Sequence, residues 1–123
     1  MEKWLTMSMA DLGRGIAAGE IDPIDLTEKY LSAIKAHPFG TRIYARLTEE
    51  RARAEAKAAS ERAKAGLRRG LLDGVPVSWK DLFDTAGTAT EAGSALLKDR
   101  VPDNDAWVLQ NATKAGLVCL GKT

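Results

Sequence analysis

Few side chains in this sequence are placed to do chemistry, and Lys80 is the best placed of them. A lysine amine acts as a base or nucleophile only when neutral, and burial is the lever that disfavours its charged form. Val75, Val77 and Trp79 alternate with Pro76, Ser78 and Lys80. That is the period of a strand, so the first three residues face one side and the second three the other. Trp79 is expected to turn inward to the core, and Lys80 to leave the apolar face. Lys80 closes a short run opened by Gly74 and ended by Asp81 and the Asp-Thr-Ala-Gly turn at 84–87. In open α/β sheets the ligand crevice lies there, beyond the carboxyl ends of the strands. Taken alone, a lysine at a strand end is a solvated one, because its stem lies along apolar surface while its head reaches water.

Other chemically suggestive residues carry less. His37 is the only histidine; at a helix end before Pro38 it reads as a cap or packing group, and one histidine makes no metal site. Cys119 is the only cysteine, which excludes an internal disulfide, and its apolar surroundings make it a small packing residue. Residues 116–123, GLVCLGKT, satisfy the G-x-x-x-x-G-K-[ST] pattern of a phosphate-binding loop. The chemistry does not follow, because such a loop lies between a strand and a helix with its N–H groups converging on phosphate. Here 117–120 read as the strand itself.

The elements that must position Lys80 are visible in periodicity. Met9, Leu12 and Ile16 predict a first helix after Thr6 or Ser8, weakened by Gly13 and Gly15 and stopped at Gly19. Asp22 as N-cap, Pro23 at the first position and Asp25 in the first turn open a second helix. Leu26, Tyr30, Ala33, Ile34 and His37 are expected on its inner face. A short strand is predicted over 43–47. Residues 48–65, rich in Ala, Glu, Arg and Lys, predict a long helix whose apolar stripe is only Ala52, Ala56, Ala59 and Ala63, and whose charges form a solvated face. A strand over 75–80, a Gly- and Thr-rich loop over 85–95, a helix over 105–115 with Val108, Leu109, Ala112 and Ala115 inward, and a strand over 117–120 complete the pattern. A crossover of this kind sets the two strands parallel. The whole reads as a single α/β domain, with a mainly helical lead-in over 1–66 and strand, loop, helix and strand over 70–123. These are the first strands of a mixed sheet flanked by helices, incomplete over these residues.

The run GVPVSWKDLFDTAG, Thr90 followed by Ala92, Gly93 and Ser94, then Asp105 and Ala106, and AGLVCLGKT at 115–123 together resemble the amidase signature family in order and spacing. The resemblance runs from about Ser8 to Thr123 and covers the opening portion of that family's longer domain. It implies amide-bond hydrolysis by a Ser, cis-Ser, Lys triad through an acyl-enzyme, with Lys80 as the catalytic lysine and no cofactor or metal. The family's two serines belong to Gly- and Ser-rich segments that do not occur here; Ser8, Ser32, Ser60, Ser78 and Ser94 stand in other contexts, Ser94 as a loop or turn residue. The implied partners are a small-molecule amide substrate and the remainder of the amidase chain, with oligomerisation possible. Residues 1–123 by themselves are expected to be catalytically silent and to need further polypeptide. Ala112, Thr113 and Cys119 depart from the family's usual residue types in ways that bear on packing. The alternative is a non-catalytic chain that serves by association.

Composition narrows the classes. With 18 Lys and Arg against 17 Asp and Glu, the net charge of +1 gives no electrostatic footprint for nucleic acid or an anionic membrane. No apolar run approaches bilayer length, and Asp11 and Gly13 interrupt the start, so neither a membrane span nor secretion is expected. A reducing cytoplasm fits the single cysteine.

Overall fold

The computed structural model describes residues 1–123. Its elements in chain order are α1 (Met9–Ala17), α2 (Pro23–Ala36), the single turn α3 (Gly40–Ile43), β1 (Arg46–Leu47), α4 (Glu49–Lys64), β2 (Pro76–Trp79), α5 (Trp107–Lys114) and β3 (Val118–Lys122). The strands form one mixed sheet in the order β1-β3-β2, with β3 antiparallel to β1 and parallel to β2. The parallel pair is the one the crossover predicts. All five β3 residues are buried, as befits a central strand covered on both faces.

Local chemistry accounts for the helix starts. The Ser8 hydroxyl accepts from Asp11 N–H at 3.1 Å, and the Asp22 carboxylate accepts from Ile24 N–H at 2.9 Å with Pro23 at the first position. Gly13 and Gly15 weaken α1 in isolation but permit its packing. A Cβ at Gly13 would lie 2.0 Å from the Leu71 carbonyl oxygen, and one at Gly15 2.5 Å from Ile21 Cδ1. The buried side of α2 is Leu26, Thr27 and Leu31, with Tyr30 and Ile34 at its edge and His37 exposed, a rotation from the face expected. The His37 ring does serve the helix end, where Nδ1 accepts from Phe39 N–H at 3.1 Å.

Helix α4 lies across α2 and over β3. Its alanine stripe allows that approach: Ala52, Ala56 and Ala59 are buried, and Ala52 and Ala56 join Leu31, Val118 and Leu120 in one core cluster. A second cluster gathers Trp4, Leu12, Ile16, Ile21, Leu26 and Val75, and Tyr30 packs against both. On α5 only Leu109 is buried, whereas Trp107 is 72% exposed and Val108 is exposed beside it. No helix is long and apolar enough to cross a membrane.

Candidate functional site

Lys80 is the first residue beyond β2, and its backbone is fixed on both sides. Thr123 N–H donates to Trp79 C=O at 2.8 Å, Asp81 N–H donates to Thr123 C=O at 2.8 Å, and Phe83 N–H donates back to Lys80 C=O at 3.0 Å. The side chain is exposed. Sequence alternation thus sends Lys80 outward, but the rest of the strand is less simple. Val75 is buried, whereas all four residues of β2, Trp79 included, are half-buried. The physical reason is a register shift between Val77 and Ser78, where β3 has one residue more than β2 and the alternation of faces is broken. The Trp79 ring meets Phe83 edge-on, with centroids 5.9 Å apart, and so packs against the loop that follows it. Ser78, on the expected outer face, is hydrogen-bonded to the Tyr44 hydroxyl.

Asp81 ties Lys80 to the rest of the site. Its carboxylate receives the Arg46 guanidinium, the Glu91 N–H at 3.3 Å and, at 3.7 Å, the Lys122 ammonium. Arg46 reaches in from β1 and also binds the Ala89 carbonyl at 2.8 Å and Glu91 at 2.9 Å. No local pattern announces Arg46, whose partners lie 35 to 45 residues away.

The buried lysine of the molecule is Lys122, not Lys80. Its side chain has 0% exposure and its ammonium donates to Phe83 C=O at 2.6 Å and to Thr90 Oγ1 at 3.1 Å. Burial pushes its pKa below the ordinary lysine value, and the attraction of Asp81 opposes that shift. In the sequence this lysine stands out only as part of a false phosphate-loop match. The signal present there is a charged residue ending a run otherwise apolar or glycine. The phosphate-loop reading has no geometry behind it: the N–H groups of Val118 and Thr123 are spent on the carbonyls of Val75 and Trp79, and that of Cys119 on Glu55 at 3.0 Å. Burial raises the Cys119 thiol above its ordinary value, which disfavours the nucleophilic thiolate.

Beyond the turn, Asp105 and Ala106 anchor the loop rather than do chemistry. Asp105 accepts both guanidinium nitrogens of Arg51 at 2.9 Å and the Ala86 N–H at 2.8 Å. Burial acts to raise its pKa, but these donors outweigh it and hold the carboxyl below its ordinary value. Ala106 N–H donates to Asp84 C=O at 2.8 Å. Ser94 caps a short turn, its Oγ accepting from Leu96 N–H at 3.3 Å. No group of three or more His, Cys, Asp or Glu side chains is gathered that could hold a metal ion.

Fold and site together define an α/β protein that presents a lysine at the carboxyl end of a parallel strand, braced by a loop of hydrogen-bonded charges. The amidase family profile matches residues 25–123, and the chain belongs to this family, whose signature motifs it carries around Lys80. It is 42% identical over 116 residues to a component of the glutamyl-tRNA(Gln) amidotransferase of Anaeromyxobacter dehalogenans, an alignment covering 94% of this chain and 24% of that one. The peptide amidase of Stenotrophomonas maltophilia superposes with a TM-score of 0.86 at 37% identity, over 95% of this chain and 24% of its own. A structure described as a vestigial protein complex revealing the evolutionary origins of an s-triazine catabolic enzyme superposes at 0.87 with 36% identity, over 94% and 26%. The chain spans about a quarter of the length of these relatives.

Proposed function

We propose that the protein hydrolyses a carboxamide C–N bond through an acyl-enzyme, and that this chain contributes the lysine of the catalytic group, Lys80. The observation that carries the reading is the pairing of an exposed side chain with a fixed backbone. Trp79, Lys80 and Asp81 are each held by a main-chain hydrogen bond, while the Lys80 amine stands free at the end of a parallel strand. A base needs that combination of a set origin and an open reach.

In the reaction, a serine oxygen adds to the amide carbonyl and its proton passes through a second serine to the Lys80 amine. The C–N bond then breaks as that proton is returned to the leaving nitrogen. Water attacks the resulting ester, and Lys80 again takes and returns the proton, so no charge accumulates over the cycle. Both serines come from polypeptide beyond these residues. Exposed apolar side chains in the segment after Lys80 are consistent with such a cover: Leu96 is 95% exposed, and Leu82, Val101 and Trp107 are exposed as well. Residues 1–123 alone are accordingly inactive, because they hold one catalytic group and neither serine.

The test uses the full-length protein with L-glutamine, benzamide and an amidated dipeptide as probes, reading ammonia release. At least one is turned over, and Lys80→Ala lowers that rate by about a thousandfold or more without loss of the folded state. Near-normal turnover by Lys80→Ala removes it from the mechanism.

A further inference from the structure

We propose that Lys122 is a positioning residue for the reaction, an internal cation that clamps the loop after β2 and so fixes where the Lys80 amine can reach. The inference rests on the reading of Lys80 as the catalytic base. Lys122 sits opposite Trp79 in the β2–β3 ladder, one residue from Lys80. An ammonium has three donors and no acceptor. Here two are satisfied by Phe83 C=O at 2.6 Å and Thr90 Oγ1 at 3.1 Å, and the remaining charge faces Asp81 at 3.7 Å.

These partners have a common property. Asp81 and Phe83 flank Lys80 on its C-terminal side, and Phe83 N–H closes the turn onto Lys80 C=O. Thr90 lies at the far end of the loop, where its own N–H binds Arg100 C=O at 2.9 Å and its hydroxyl also contacts Thr88 C=O at 3.2 Å. One buried charge therefore joins both ends of the segment 81–90. Apolar contact could not do this, because only Thr85 and Thr90 are buried in that segment. An uncharged side chain of similar length would fill the space but leave Thr90 Oγ1 without a donor and Phe83 C=O with only the Thr85 hydroxyl at 3.2 Å, and the turn could then shift to find water. A shift of about 1 Å at the origin of a base is enough to lower turnover by about 100-fold.

Three variants of the full-length protein test the role, assayed with whichever of the three amide probes the wild type hydrolyses. Lys122→Met keeps the volume and removes the donors. Thr90→Val removes one acceptor at constant shape, and Thr90→Ser restores it. We expect Lys122→Met to lower kcat by about 10- to 100-fold and Thr90→Val by several-fold, both with KM within about twofold of wild type. Thr90→Ser should return kcat to near the wild-type value. A merely structural role would instead lower the melting temperature of Thr90→Ser and Thr90→Val alike, or move KM together with kcat, and either result overturns the proposal. So does wild-type kcat in a folded Lys122→Met. If Lys122→Met does not fold, the Thr90 pair decides by the same criteria. Lys80→Ala assayed in parallel separates the two readings. An active Lys80→Ala removes the catalytic lysine and this inference with it, whereas an inactive Lys80→Ala beside fully active Lys122→Met and Thr90→Val removes the inference alone.

Discussion

Leu12, Ile16, Leu26 and Leu31 in the helical half are held by apolar contact, buried against Trp4, Val75 and the alanine face of α4. Between Lys80 and Ala106, by contrast, only Thr85, Thr90 and Pro102 are buried. That stretch is fastened by cations reaching into it, Arg46 from β1, Arg51 from α4 and Lys122 from β3, together with its own Arg100 on Asp84. Apolar burial is non-directional and supplies stability in proportion to area, whereas a hydrogen bond to a charged group fixes distance and angle. The helical half is therefore expected to provide most of the folding free energy. The loop half provides little, but it decides where Lys80 stands.

The largest expected effect lies in the apolar half. Leu26→Ala removes a side chain with 0% exposure and should cost about 2 to 5 kcal/mol in denaturant unfolding. A loss below about 1 kcal/mol would break the comparison, since the helical core would then not be where stability resides.

A smaller effect is expected from a bidentate anchor of the loop. Asp105→Asn keeps an acceptor for Ala86 N–H but loses the charged pair with Arg51, which is part-buried, and should cost about 1 to 2 kcal/mol at neutral pH. The Asp105 carboxyl is held below its ordinary value of 3.8 in the folded state. Its contribution is therefore complete above that value and is lost as pH falls through the lower folded one. Unfolding measured at pH 7 and again at about pH 3 should show the gap between wild type and Asp105→Asn narrowing on the acid side. A gap that widens with acid would mean that Asp105 is not the group being protonated.

The smallest effect sharpens the same contrast. Arg53 on the outer face of α4 pairs with Glu28 at 2.6 Å and with Glu49 at 3.0 Å, yet both ends of these pairs are open to water. Arg53→Ala should leave the melting temperature unchanged within error, because solvent and side-chain entropy cancel most of an exposed pair. A clear drop would show that charge pairs hold this protein together wherever they occur, not only where they are shielded.

How far the site can be read from the sequence follows the same division. Asp22 with Pro23, the alanine-rich run at 48–65 and the β-branched run before Lys80 each carry their structure locally, in caps, propensity and period. The motifs around Lys80 also suffice to indicate the family to which the chain belongs. The mixed α/β character and the parallel pairing follow from the order of elements. What the sequence alone determined is thus the set of elements, their order and the lysine that follows β2.

Tertiary structure decided the rest. The register shift at Val77 and Ser78, which leaves Trp79 half-buried, depends on how β3 lies against β2 and has no local signature. The glycines of α1 look like defects until Leu71 and Ile21 are placed against them. Arg46 meets Asp81 across 35 residues and Lys122 meets Thr90 across 32, and a charge says nothing in sequence about which distant group it will face. Helix periods and caps are properties of neighbouring residues, while burial and charge pairing are properties of whatever the folded chain brings alongside. For that reason Lys80 is visible from the sequence, and the buried lysine beside it is not.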